Sequence, residues 1–238
     1  MFSAYEGLYL LDYKNLITSD MKIISVYFSL LFVLLSASSC IEHEVIPPPT
    51  NTLDLNATFV GYVNGTQVEF TQNVLNYKGY SDRYMAIYAS PLLSKMLFIS
   101  EMKSLTDQRA IRLTFGSLDW DASANSTPTL TMFNDFHTSS SGINLPFQDW
   151  ANLIDVANTV DGVQIEYTDQ AGLVWISRAS DPGQVAKFTV IDQATDKTGD
   201  YSLFEVTFSC KVWRYNVQTQ LDESLNISNG KLRAWFKL

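Results

Sequence analysis

The sequence is poor in the residues that carry most catalytic chemistry. Its 238 residues include two histidines, His43 and His137, two cysteines, Cys40 and Cys210, and only 17% charged residues. With so few histidines there is no His-rich zinc spacing, and a Ser-His-Asp arrangement would have to use His137. That histidine sits in the Ser-rich run Phe136 to Gly142, without the strand, turn and helix setting of a Gly-x-Ser-x-Gly elbow, so it reads as part of a polar surface loop. Basic runs are lacking too. Residues 40–238 hold 14 of the 16 basic and 22 of the 25 acidic residues, a formal charge of −8, which excludes a chain built to track a phosphate backbone. No cofactor motif is present, and nucleic acid is not expected as a partner.

Long apolar runs are also missing. The longest apolar segment, Ile23 to Leu35, has 13 residues, short of the roughly 20 that a bilayer-spanning helix needs, and no basic stop-transfer cluster follows it. What surrounds it is informative. Met21-Lys22 gives a short basic start and Ser36-Ala37-Ser38-Ser39 gives small residues before Cys40, the three-part pattern of an export signal over residues 21–39. Glu6, Asp12 and Asp20 precede it, unlike a basic leader, so residues 1–20 read as an upstream extension with translation starting at Met21.

Ala37-Ser38-Ser39-Cys40 resembles the bacterial lipobox, which implies that Cys40 is lipidated and that the mature protein is held at the outer membrane, on the cell surface or facing the periplasm. Each methylene of an acyl chain buried in the bilayer adds about 0.8 kcal/mol of anchoring. Residues 40–52 then contain Pro47-Pro48-Pro49, an extended spacer. Glu42 and Glu44 just after the cysteine resemble the surface-export signal of lipoproteins from Bacteroidetes.

The whole chain is 46% hydrophobic, and the remaining part, residues 53–238, has the apolar material that builds a core. Alternating runs separated by turn residues at short spacing predict an all-β fold, an antiparallel β-sandwich or barrel-like sheet of about ten strands with one short helix. The opening hairpin is the clearest element: Thr58 to Val63, then Asn64-Gly65, then Thr66 to Phe70, with the residue pair favoured in type I′ turns. Further strands are expected at 83–90, 95–102, 109–115, 128–134, 162–168, 172–178, 185–192, 201–215 and 231–237. The spacing of Phe147, Trp150, Ala151, Leu153 and Ile154 after Pro146 predicts the helix near 146–157, with Trp150 packing it against a sheet. Asp161-Gly162, Ala171-Gly172, Pro182-Gly183 and Asn229-Gly230 mark hairpin turns. No fixed-period repeat and no internal linker interrupts a single domain.

Val163 to Asp169 with Gly172 and Trp175, Phe188-Thr189-Val190, Phe204 to Cys210, and Ile227-Ser228-Asn229-Gly230 together look like the recurring end of small lipoproteins of Bacteroidetes. The Asn64-Gly65 hairpin resembles the start of the same proteins. The resemblance covers most of the mature chain and implies a β-rich domain on a lipid anchor; no activity is established for that group.

Three sets of residues are candidates for chemistry. Cys210 alternates with Phe204, Val206, Phe208 and Val212 on the apolar face of its strand, which makes it a core thiol. Asp119, Asp121, Ser123 and Asn125 place oxygens at alternate positions, as calcium loops do, but Ala124 stands where an EF-hand needs Gly and Leu130 where it needs Glu, so an acidic turn is the simpler reading. Trp213 shares a face with Lys211, and Trp235 with Arg233. If the two last strands are neighbours, these four form an outward aromatic and basic platform for a glycan or an envelope protein, unless other elements cover the rings. A membrane-anchored, non-catalytic binding module is the leading expectation, with a glycan hydrolase using loop-borne carboxylates and a structural envelope protein as rivals.

Overall fold

The structure, a computed structural model, describes residues 52–150 and 161–238. The expected signal, Cys40, the spacer and residues 151–157 of the expected helix all lie outside the described residues. Among the described residues ten strands and one helix follow in chain order: β1 (Thr58–Val63), β2 (Thr66–Thr71), β3 (Tyr77–Ala86), β4 (Ser94–Ser104), β5 (Ala110–Trp120), α1 (Leu130–Ser139), β6 (Gly162–Thr168), β7 (Val174–Ser177), β8 (Val185–Asp196), β9 (Gly199–Asn216) and β10 (Leu221–Lys237). All strand pairs are antiparallel. They form one curled sheet in the order β2-β1-β10-β9-β7-β6-β5-β4-β3, with β8 also paired to β9. The all-β expectation is met.

The β1–β2 hairpin turns at Asn64 and Gly65, both with positive φ (47° and 82°), the type I′ geometry that follows the twist of the strands. The Asn64 side chain also accepts a hydrogen bond from the Asn226 amide, tying the turn to β10. On β9, the alternation read from the sequence holds: Phe204, Val206, Phe208, Cys210 and Val212 are buried. Curling the sheet brings the inward rows of distant strands together. Phe115 stacks on Phe188 at 4.6 Å between centroids and Phe204 on Phe236 at 4.4 Å. Full burial of each such ring contributes roughly 1.5–3 kcal/mol before conformational entropy is set against it.

Two local assignments are corrected. The segment 128–134 is not a strand, because Thr129 caps a helix there, its hydroxyl accepting from the Met132 amide at 3.2 Å. In α1, Phe133 and His137 lie one turn apart and face the core, and Met132 and Phe136 pack beside them. The β-branched and aromatic composition of this stretch mimics a strand, but the capped end and the i, i+4 spacing fit helix. His137 is therefore not in a surface loop. Conversely, residues 146–150 are not helical: Phe147 makes an isolated parallel bridge to Val163, and the Gln148 amide donates to the Val163 carbonyl. Trp150 is buried, but not on a helix.

Asn229-Gly230 is likewise no hairpin turn. It lies within β10, where the register with β9 slips between Ile227 and Gly230, a bulge with Asn229 at φ 51°. Gly230 is required by close approach, since a Cβ there would lie 2.8 Å from the Phe208 ring. Pro182-Gly183 joins β7 and β8, which do not form a hairpin but lie end to end along the same edge of β9: Ile176 pairs with Trp213, and Val185 with Ser209.

Candidate functional site

The interruption between β7 and β8 is what shapes the outer side of the sheet. Between Ser209 and Val212, β9 has no strand on that edge, and the loop 178–184 spans the gap. Its side chains fold onto β9. The Asp181 carboxylate accepts a short hydrogen bond from the Trp213 indole N–H, the Arg178 guanidinium lies 4.8 Å from the Trp213 ring centroid, and Gln184 donates to the Arg178 carbonyl. Lys211, two residues before Trp213 on the same face, places its ammonium 5.2 Å from the ring. A cation over an indole face is favourable by roughly 0.5–2 kcal/mol depending on exposure.

Trp213, Tyr215, Val174, Ile176 and Arg178 line a depression of about 510 Å³. Tyr215, Val174 and Ile176 are exposed at its rim. The carboxylates around it are held in bonds of their own. Asp222 pairs with Arg178 at 2.8 Å, and this hydrogen bond lowers its pKa below the ordinary carboxylate value. Glu223 is lowered by hydrogen bonds from the Asn216 amide and from Arg214, and Asp149 accepts from the Ala179 amide. The arrangement offers a fixed aromatic ring, planar guanidinium and amide groups and an apolar rim, the components of a recognition surface for a ligand with polar edges and an apolar face.

No protein-family profile, curated protein or solved structure matches this chain.

Of the four platform residues, the structure brings Trp213 and Lys211 together and separates the other two. Trp235 pairs in register with Leu203, ten positions along β9 from Trp213, on the order of 33 Å away. It points to the same outer side, but Gly79 of β3 packs against it: a Cβ on Gly79 would lie 2.4 Å from the indole. Trp235 is therefore buried, and no two-tryptophan platform exists. Arg233 stays exposed beside Glu205 in the neighbouring row. Arg178, Asp181 and Tyr215 were missed by sequence reasoning. Tyr215 was accessible to it, since it continues the alternation of Lys211 and Trp213; Arg178 and Asp181 come from a loop whose fold-back only the tertiary structure shows.

The acidic segment uses its oxygens internally. Asp119 pairs with Lys95 at 2.7 Å, while the Asp121 carboxylate accepts from both the amide and the hydroxyl of Ser123, which lowers its pKa. The Asn125 carbonyl accepts from the Trp120 indole. Among the described residues no group of three or more His, Cys, Asp or Glu side chains is placed to hold a metal ion. Cys210 is buried, and burial pushes its thiol up to about 12, so it stays protonated and unreactive. His137 is fully enclosed by Phe98, Phe115, Phe133, Phe136, Phe188 and Phe236, with Nδ1 2.8 Å from the Phe133 carbonyl and Nε2 without a partner. Desolvation lowers its pKa to about 3.

Proposed function

We propose that this chain is an envelope lipoprotein anchored through Cys40, whose β-domain binds a glycan at the depression around Trp213 without turning it over. The observation that carries the reading is the indole of Trp213, fixed by Asp181 and flanked by Arg178 and Lys211 beside the exposed Tyr215 ring. Sugars present apolar ring faces that suit aromatic side chains and hydroxyl edges that suit guanidinium and carboxamide groups. The nearby carboxylates support binding over hydrolysis, because each is already engaged by an arginine, an indole or a backbone amide.

Binding of the detergent-solubilised full chain to an immobilised glycan panel tests this. Trp213→Ala is expected to weaken any glycan bound by at least about tenfold, the loss of roughly 1.4 kcal/mol; unchanged binding by the variant rejects the site. For the anchor, Cys40→Ala should abolish incorporation of radiolabelled palmitate, and a persistent label refutes lipidation at that residue.

A second reading has its own observation. Leu173, Val217 and Leu221 are exposed near the same end of the sheet, Val217 at 79% and Leu221 at 65%, an apolar cluster suited to an envelope protein partner. Val217→Glu with Leu221→Glu should abolish such a complex and leave glycan binding intact.

A further inference from the structure

The Trp213 depression is not isolated on its face. A second one, of about 220 Å³, is lined by Pro182, Gly183 and Gln184 of the loop and by Ser209 and Lys211 of β9. A third, of about 530 Å³, is lined by Lys187, Thr207, Ser209, Asn229 and Lys231. The second and third share Ser209, and the loop 178–184 contributes to both the first and the second. All three therefore follow the outer side of β9 in file, from Thr207 to Tyr215, a path of about 27 Å at strand spacing.

Two breaks in the sheet open this path. On one edge of β9 the chain leaves the ladder between β7 and β8; on the other, the Asn229 bulge interrupts β10. Both breaks fall beside Ser209 to Lys211.

Lys187, Lys231, Lys211 and Arg178 line the path, in a chain of net charge −9, and the carboxylates beside it are already engaged, Asp149 by the Ala179 amide and Asp181 by the Trp213 indole. Arg214 also contributes lining, but its guanidinium is turned to Trp175 and Glu223. Lys231 is 3.2 Å from Glu205 and Arg178 pairs with Asp222, whereas neither Lys187 nor Lys211 has an ion-pair partner among the described residues. Lys187 and Lys231 both stand directly opposite Thr207 in the register, so the row Lys187–Thr207–Lys231 presents two ammonium groups around one hydroxyl.

We propose that these depressions form one trough for an extended anionic polysaccharide. Its acidic groups lie between Lys187 and Lys231 and along Lys211, and a sugar ring rests against the Trp213 and Tyr215 end. This deepens the glycan-binding reading and rests on it. Outside the short gap between Ser209 and Val212 the main chain of β9 is engaged by its neighbours, which leaves an acidic peptide too little strand edge to extend; recognition there falls to hydroxyls, ammonium groups and aromatic rings.

The test titrates the detergent-solubilised full chain, following tryptophan fluorescence or calorimetry, with oligogalacturonate and heparin oligosaccharides of increasing length, neutral dextran oligosaccharides, polyglutamate and oligothymidylate. Expected are an affinity that rises at least about tenfold from dimer to hexamer of one acidic sugar, because a long chain reaches both ends of the trough, and a loss of binding with rising ionic strength. The two acidic probes separate carboxylate from sulfate recognition. Lys187→Ala with Lys231→Ala should remove most of the gain with length, and their thermal unfolding should match wild type since both side chains are exposed. Equal affinity for neutral and acidic oligosaccharides, no gain with length, or equal binding of polyglutamate or oligothymidylate overturns the trough. In the first two cases a Trp213-dependent signal leaves glycan binding standing; if no glycan of any kind binds, both readings fall.

Discussion

His137 shows what a single residue costs inside an aromatic core. Its imidazole must stay neutral in the folded chain, since burial among six phenylalanines lowers its pKa from the ordinary 6.5 to about 3. Above pH 6.5 both folded and unfolded forms are neutral at this site and its protonation contributes nothing. As pH falls below that value, the unfolded chain takes up a proton that the folded chain refuses until about pH 3, so stability drops by up to about 1.4 kcal/mol per pH unit across the window. Urea unfolding of wild type and His137→Leu from pH 7 to 4 should show a steeper loss in wild type; parallel curves would contradict an unprotonated buried ring. The carboxylates of Asp107 and Asp196, held down to about 2 chiefly by the side chains of Arg109 and Thr198, act at lower pH, losing their contribution as pH falls through the acid range below 3.8. Trp213 and Trp235 make the complementary point. Their sequence settings are alike, each an aromatic among basic neighbours, and their fates differ because Gly79 admits one ring and a loop arginine covers only part of the other.

At the scale of elements, α1 depends on its cap. Thr129→Ala removes the hydroxyl that accepts from Met132 and should lower stability by about 1 kcal/mol, readable as a shifted urea midpoint with an unchanged slope. Gly230→Ala tests the bulge. Its added methyl meets the Phe208 ring, itself packed against Phe59, and should cost roughly 1–3 kcal/mol. A neutral outcome would mean that the bulge does not depend on a missing side chain. The elements legible in the sequence were those whose pattern is local: the Asn64-Gly65 hairpin, the alternation of β9, and β6 with the boundaries expected for it. Misread were the segments in which two patterns coexist. Residues 128–134 carry strand composition over helical spacing, and Asn229-Gly230 is turn chemistry used as a bulge.

For the molecule as a whole, the proposed trough uses Lys187 and Lys211, which have no ion-pair partner among the described residues, in a chain of net charge −9. In that arrangement raising ionic strength weakens an acidic ligand more than a neutral one, since screening acts on the lysines and not on the Trp213 ring. Comparing the salt dependence of the two ligand classes by calorimetry checks this, and equal slopes would remove the electrostatic component. Among the described residues no helix is long and apolar enough to cross a membrane; the proposed attachment is through a lipid on Cys40.

By itself, the sequence determined the all-β class, the first hairpin and the inward placement of Cys210, because alternation and turn chemistry act between residues near in the chain. It also set the expectation of an anchor at Cys40, which rests on residues outside those the structure describes. Only the tertiary structure decided where the helix lies, that His137 is a core residue, and which tryptophan stays accessible. Those outcomes depend on partners far away in the chain, Gly79 against Trp235, the loop 178–184 against Trp213, and the rings of β4, β5, β8 and β10 around His137. Burial is a property of neighbours, and neighbours are set by the register and curl of the sheet.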